Sequence, residues 1–331
     1  MTTLNRRQTL ALATAGLGAF ALPRAARAQA FEQPKFLYGF PAGSAGDIAA
    51  RRVAEKVGGS AYAKNPAIVE NRPGAGGRIA LDGLRSSPAD GSVLALSPFS
   101  ATAIYPHVYK KLSYDPVVDF VPVSIAAVMH HGLAVGPVVP ASVTDVKGFV
   151  AWAKANPQLA NYGSPAAGST PHFLGALLAL SQNVDLKHVP YRGSVPGITD
   201  VVGGQLAAMF TPAGDFLSNH RAGKLRLLGT SGKARLPFAP EVQTFAEQGF
   251  GELTTEEWFG FYAPAKTPAP VLAAANAAIN AGLKDKSLID GLAVVGLLAQ
   301  GSTADEMARS QRAEFERWGP LVKKIGFTAD S

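Results

Sequence analysis

Short apolar strands alternate with helical stretches along this chain, and that order constrains it more than any other feature. It points to an α/β fold with mainly parallel sheets. The first unit shows the pattern. Residues 36–40 form an apolar run of strand length, a turn with Pro41, Gly43 and Gly46 follows, and Ile48, Val53 and Val57 then recur at roughly helical spacing. Further strands are expected near 67–69, 93–96, 133–135, 206–210 and 225–229. Helices are expected near 47–57, 76–85, 146–155, 170–180, 195–202 and 268–283, with a last amphipathic one over 304–325 that opens on a Thr303/Glu306 capping box. A strand feeding a glycine-rich turn into a helix leaves the first N–H groups free and presents a positive dipole end, which is an anion site. Ser44 and Asp47 have capping-box spacing and place the helix start near Ser44.

Residues 1–30 read as an address. Arg6-Arg7 in the run Asn5-Arg6-Arg7-Gln8-Thr9-Leu10 resembles a twin-arginine export signal, the apolar run 10–22 is too short to span a bilayer, and Ala28-Gln29-Ala30 fits a cleavage site. The expected localisation is periplasmic. An N-terminal membrane anchor is the alternative, and no stop-transfer pattern supports it. The absence of cysteine excludes disulfides, a thiol nucleophile and a Cys-ligated metal. Arg6, Arg7, Arg24 and Arg27 lie in residues 1–30, which hold no acid, so the formal +7 falls to +3 for the rest. No Lys/Arg cluster with interleaved aromatics occurs, so a nucleic-acid partner is not expected, whereas a modest positive charge suits an anionic ligand.

Two segments look like hinges: the apolar strand 130–140 and the strand 258–264. Two lobes are placed around them, 31–129 plus 258–331 and 130–257. The second lobe has its own candidate anion loop, 161–172, with Ser164, Gly168, Ser169 and Thr170; Thr170 before Pro171 reads as N-cap and first helical residue. A third helix start follows Arg192-Gly193-Ser194. Any one of these loops alone is an ordinary turn, and three together favour binding. His172 either lines a cleft or packs at the helix start, and Arg192 either faces a ligand or is solvated. Ala42-Gly43-Ser44-Ala45-Gly46 also has the look of a degenerate nucleophile elbow, but an α/β-hydrolase builds several strands before its nucleophile and here there is one. The pair His130-His131 should diverge along a strand and lacks metal-ligand spacing, and the Gly74–Gly77 turn lacks dinucleotide or P-loop spacing. No metal or cofactor is expected.

Taken in order, several blocks resemble the Bug-type (Bordetella uptake gene) solute receptors of tripartite tricarboxylate transporters. They are Pro41-Ala-Gly-Ser-Ala-Gly-Asp47, Glu70-Asn-Arg-Pro-Gly-Ala-Gly-Gly77, Ala89-Asp-Gly91, Tyr114-Asp-Pro116, Gly168-Ser169 through His172, Val189-Pro-Tyr-Arg-Gly-Ser194, Gly203-Gly-Gln205 and Trp258-Phe-Gly260. The resemblance implies a two-lobed, type II periplasmic-binding-protein fold with two hinge strands. It further implies capture of a small organic acid for a membrane permease, without catalysis, by a protein expected to be a monomer. It places the ligand carboxylate on the loop Ala42, Gly43, Ser44, Ala45 to Asp47 and on Ser164 to Thr170, with the loop of Phe99, Ser100 and Ala101 lining the first lobe's side. Phe40, His172, Arg192 and Thr211 complete the candidate set. Thr211 stands where an Asp is common in the family, which leads to the expectation of a ligand without an α-amino group. The rival functions are a sensory protein using the same pocket and a secreted serine hydrolase using Ser44.

Overall fold

The computed structural model describes residues 30–329, so the expected export signal lies, apart from Ala30, outside the described residues. Ten strands among them form one mixed sheet. In the first lobe β1 (Lys35–Tyr38) lies between β2 (Ile68–Asn71) and β3 (Val93–Pro98), all parallel. In the second, β5 (Asn161–Ser164) lies parallel to β6 (Lys187–Pro190) and β7 (Ala208–Pro212). The long strand β4 (Phe120–Val135) joins the lobes. Its residues 120–130 pair antiparallel with β9 (Glu256–Pro264), which in turn pairs with β3, and β10 (Leu297–Ala299) flanks its other edge at 127–129. From His131 onward it pairs instead with β7 and with β8 (Arg226–Thr230). The chain crosses back just before β9, where the Thr255 N–H donates to the Ser231 carbonyl.

Helices cover both faces, which is why β4 is apolar nearly throughout. The first lobe carries α1 (Ala45–Val57), α2 (Arg78–Arg85) and the single turn α3 (Tyr105–Val108). The second carries α4 (Val146–Ala155), α5 (Thr170–Gln182), α6 (Ser194–Val202) and α7 (Leu217–Arg221). The chain then returns to the first lobe with α8 (Ala269–Gly282) and α9 (Lys286–Val294). The final helix α10 (Ala304–Ile325) bridges the lobes: its Trp318 ring lies 5.9 Å from Phe173 on α5, and Phe327 just beyond it lies 4.5 Å from His172.

The spans expected for α4 and α10 coincide with those observed, and the Thr303/Glu306 capping box is present with bonds of 3.1 and 2.8 Å. The other box is not. Ser44 is the N-cap of α1, but its hydroxyl makes no capping bond. Asp47 turns away to accept from the Gly43 N–H (2.9 Å), Arg51 Nε (3.1 Å) and Asn71 Nδ2 (2.8 Å). It clamps the first glycine loop from behind. Burial by itself raises the Asp47 pKa, and these bonds together with the Arg51 charge carry it below the ordinary carboxylate value. Its stabilisation is therefore complete above pH 3.8 and is lost as pH falls through the lowered value. Asp47→Ala is expected to cost about 2 kcal/mol at pH 7. Urea unfolding checks it: parent and variant should converge as pH falls below 3.8, and equal stability at pH 7 would remove the clamp.

Candidate functional site

The two lobes meet over a cleft lined by residues of both. Helix starts converge on it. From the first lobe come Ser44, Ala45 and Gly46 at the start of α1; from the second come Ser169 and Pro171 at the start of α5 and Ser194 at the start of α6. Tyr38, Phe40 and Phe259 form an aromatic wall, and Ser100 and Thr211 add hydroxyls. Among the described residues lining the cleft there is no lysine or arginine.

Of the residues expected from sequence, Phe40, Ser44, Ala45, Ser100, Ser169 and Thr211 line this cleft. The others do not. Ala42, Gly43 and Arg192 are exposed, on the outer side of their turns. Asp47 is taken up by Arg51 and Asn71. Phe99 and Ala101 are packed in the first lobe's core, because the chain enters a helical turn directly after β3 and rotates them inward. Ser164 is fully buried and bonds His188 Nε2 at 2.7 Å. Thr170 is likewise buried, and it is the first residue of α5; Ser169 is the N-cap, one residue earlier than expected. His172 points back into the second lobe, where its Nδ1 accepts from the Gly168 N–H and its ring stacks on His188 at 3.8 Å. Gly168 has φ +76°, and a Cβ there would meet Val108 of the first lobe at 2.8 Å; the constraint is interlobe packing as well as backbone conformation. Around Gly43, at φ +83°, there is open space, so only backbone conformation restricts it.

Three titratable residues of the cleft carried no sequence signal as site residues. His131 on β4 and Glu257 on β9 form a buried pair, Nε2 to Oε2 at 2.7 Å with exposures of 1% and 2%, and the second Glu257 oxygen accepts from the Ser100 N–H at 2.9 Å. Both hinge strands thus place a side chain in the cleft. Asp215, half-buried in the turn after β7, reaches across the lobes. Its Oδ1 accepts from the Ala45 N–H at 3.0 Å, so a carboxylate of the chain itself sits on the start of α1. Ser194 and, more distantly at 3.4 Å, the Thr211 hydroxyl also donate to it. Burial raises the Asp215 pKa, against the lowering effect of these donors and of His131 nearby. Thr211 itself brings no acid to the cleft, but the Asp215 carboxylate lies 3.4 Å from its hydroxyl and lines the same cleft. The hydrolase arrangement is also absent among the described residues, since the Ser44 hydroxyl donates to the Pro41 carbonyl and Tyr38 and not to a histidine.

Comparison with known proteins agrees with this geometry. The model of the tripartite tricarboxylate transporter family receptor matches residues 49–327. The chain is 31% identical to the protein BugT of Bordetella pertussis, with 95% of each chain covered. A solved R. palustris protein with adipate superposes with a TM-score of 0.84 at 29% identity, over 90% of this chain and 98% of that one. MatC from Rhodopseudomonas palustris with bound malate gives 0.81 at 25% identity, over 88% and 99%. No helix among the described residues is long and apolar enough to cross a membrane.

Proposed function

The chain belongs to the tripartite tricarboxylate transporter receptor family, and on that premise we propose that it is an exported periplasmic protein that captures a small organic carboxylate and delivers it to a membrane permease. It acts as a monomer and performs no chemistry. Its lobes comprise 31–129 plus 258–331 and 130–257, and closure over the ligand excludes water and strengthens each N–H···carboxylate bond. One observation carries the reading: the Asp215 carboxylate already docks on the first N–H of α1, a position open to a ligand carboxylate when the side chain swings away. Ala45 and Ser44 of the first lobe, with Ser169 and Thr211 of the second, receive it in this reading, with Phe40 alongside; that all five line the cleft supports this. That solved relatives hold adipate and malate supports the ligand class.

Calorimetry on an organic-acid panel tests this. The best acid is expected to lose at least a hundredfold in affinity on methyl esterification of its carboxylates. Equal affinity of acid and ester would overturn the proposal.

A further inference from the structure

The charges inside the cleft do not match a plain anion. Asp215 and Glu257 both line it, and among the described residues His131 is the only lining residue able to carry positive charge. Glu257 already engages His131. Asp215 makes only hydrogen bonds from neutral donors: the Ala45 N–H, Ser194 and Thr211. A nitrogen-free dicarboxylate closing into this space would add two negative charges beside an acid whose nearby basic side chain, His131, is already engaged by Glu257. Like charges in a desolvated cleft oppose ionisation, and so oppose such a ligand.

His131 Nδ1 is buried and has no partner among the described residues. Nε2 is held by the Glu257 carboxylate at 2.7 Å, so Nδ1 is the ring atom left for a ligand. Carboxylates gather on the hinge side of the cleft, in Asp215 and Glu257, while the helix starts of α1, α5 and α6 occupy the rest. The aromatic wall adds to this. Tyr38 lies 5.6 Å from Phe40 and 6.2 Å from Phe259, an aromatic cluster at the cleft of the kind that attracts a cation and offers a second carboxylate nothing.

We propose that the ligand is a carboxylate that also carries a protonated nitrogen, and that Asp215 is the residue that selects it. This rests on the carboxylate-receptor reading above and deepens it. The ligand nitrogen takes Asp215 as its counter-charge and releases the Ala45 N–H to the ligand's own carboxylate. An empty cleft keeps Asp215 on the helix start; a filled one exchanges that internal pair for two complementary ones. A ligand without the nitrogen has to displace Asp215 and leave it unpaired.

Matched pairs test the proposal by calorimetry near pH 7.5: succinate against aspartate, glutarate against glutamate, and pentanoate against 5-aminopentanoate. In the pair that binds best, the nitrogen-bearing member is expected to bind at least tenfold more tightly. Asp215→Asn should erase that preference to within about threefold, and Asp215→Glu, which keeps the charge, should retain most of it. A nitrogen-free acid that binds as well as its partner overturns the proposal, as does a preference unchanged in Asp215→Asn. If that variant does not melt cooperatively, the discrimination by the parent protein decides alone. Failure of every acid in a wider panel of di-, tri-, amino and aromatic carboxylates would instead remove the carboxylate reading itself, and this inference with it.

Discussion

Acidification from pH 6.5 to pH 4 is expected to cost the empty protein several kcal/mol of stability, with His172 and His188 as the main cause. The two rings stack at 3.8 Å inside the second lobe. Burial, with His188 beside it, lowers the His172 pKa to about 3, and burial lowers that of His188 to about 4. In the unfolded chain both titrate near the ordinary imidazole value of 6.5. The unfolded state therefore binds more protons between these values, and stability falls as pH drops through 6.5 and levels off near the folded-state values. At pH 5 each ring contributes a loss of about 2 kcal/mol, from roughly 1.4 kcal/mol per unit of pH. Asp215 and Glu314, whose values are raised by burial, work in the opposite direction at lower pH. Asp47 adds its own loss only below pH 3.8. Urea unfolding at pH 7, 6, 5 and 4 measures the slope. His188→Gln keeps a polar group toward Ser164 and cannot take a proton, so its profile should be about half as steep. Parallel profiles for parent and variant would show that the stacked pair is not responsible.

Gly214→Ala is expected to reduce ligand affinity at least a hundredfold, about 2.7 kcal/mol, while changing the melting temperature of the empty protein by only a few degrees. Gly214 lies in the turn before Asp215, in the second lobe. Its Cα faces the turn Val295-Gly296 of the first lobe, between α9 and β10. A Cβ on Gly214 would overlap the Val295 carbonyl oxygen. That oxygen is backbone, so no side-chain rotation relieves the overlap, and Gly296 at φ +67° fixes the turn that holds it. The closed arrangement has to separate at this point. An arrangement with the lobes apart does not contain the contact, so the variant folds but rarely closes, and apparent affinity falls with the closed fraction. Gly251→Ala, where a Cβ meets nothing within 4 Å, is the control and should bind like the parent. Affinity of Gly214→Ala within threefold of the parent would show that binding does not require this approach.

Much of the architecture was legible because it rests on local rules. The α10 box at Thr303 and Glu306 and the apolar spacing of α4 depend on residues three or four apart, and they emerged at the expected positions. The family blocks, read in order, carried the two-lobed fold and the carboxylate-receptor class. Strands β5, β6 and the first part of β4 were not legible. Asn161–Ser164 and Lys187–Pro190 are short and partly polar, and Pro122 and Ser124 interrupt β4 where its register shifts. Their strand state comes from pairing with distant neighbours, which a local pattern does not contain.

The candidate site divides the same way. Ser44, Ala45 and Ser169 were legible because each sits at or beside a glycine-bearing turn after a strand, and Ser100 because the family resemblance implied its loop. Whether a residue on such a loop points into the cleft or away from it depends on one turn of backbone. That is why Asp47, Phe99 and Thr170 were placed in the site and belong to its supports. His131, Glu257 and Asp215 lie on a hinge strand, the opposite hinge strand and a turn 170 residues from the helix start it touches. The sequence alone determined that a carboxylate receptor of two lobes would form. Only the closing of those lobes decided what charge faces the ligand, because the groups that set it meet across the cleft and share no local spacing.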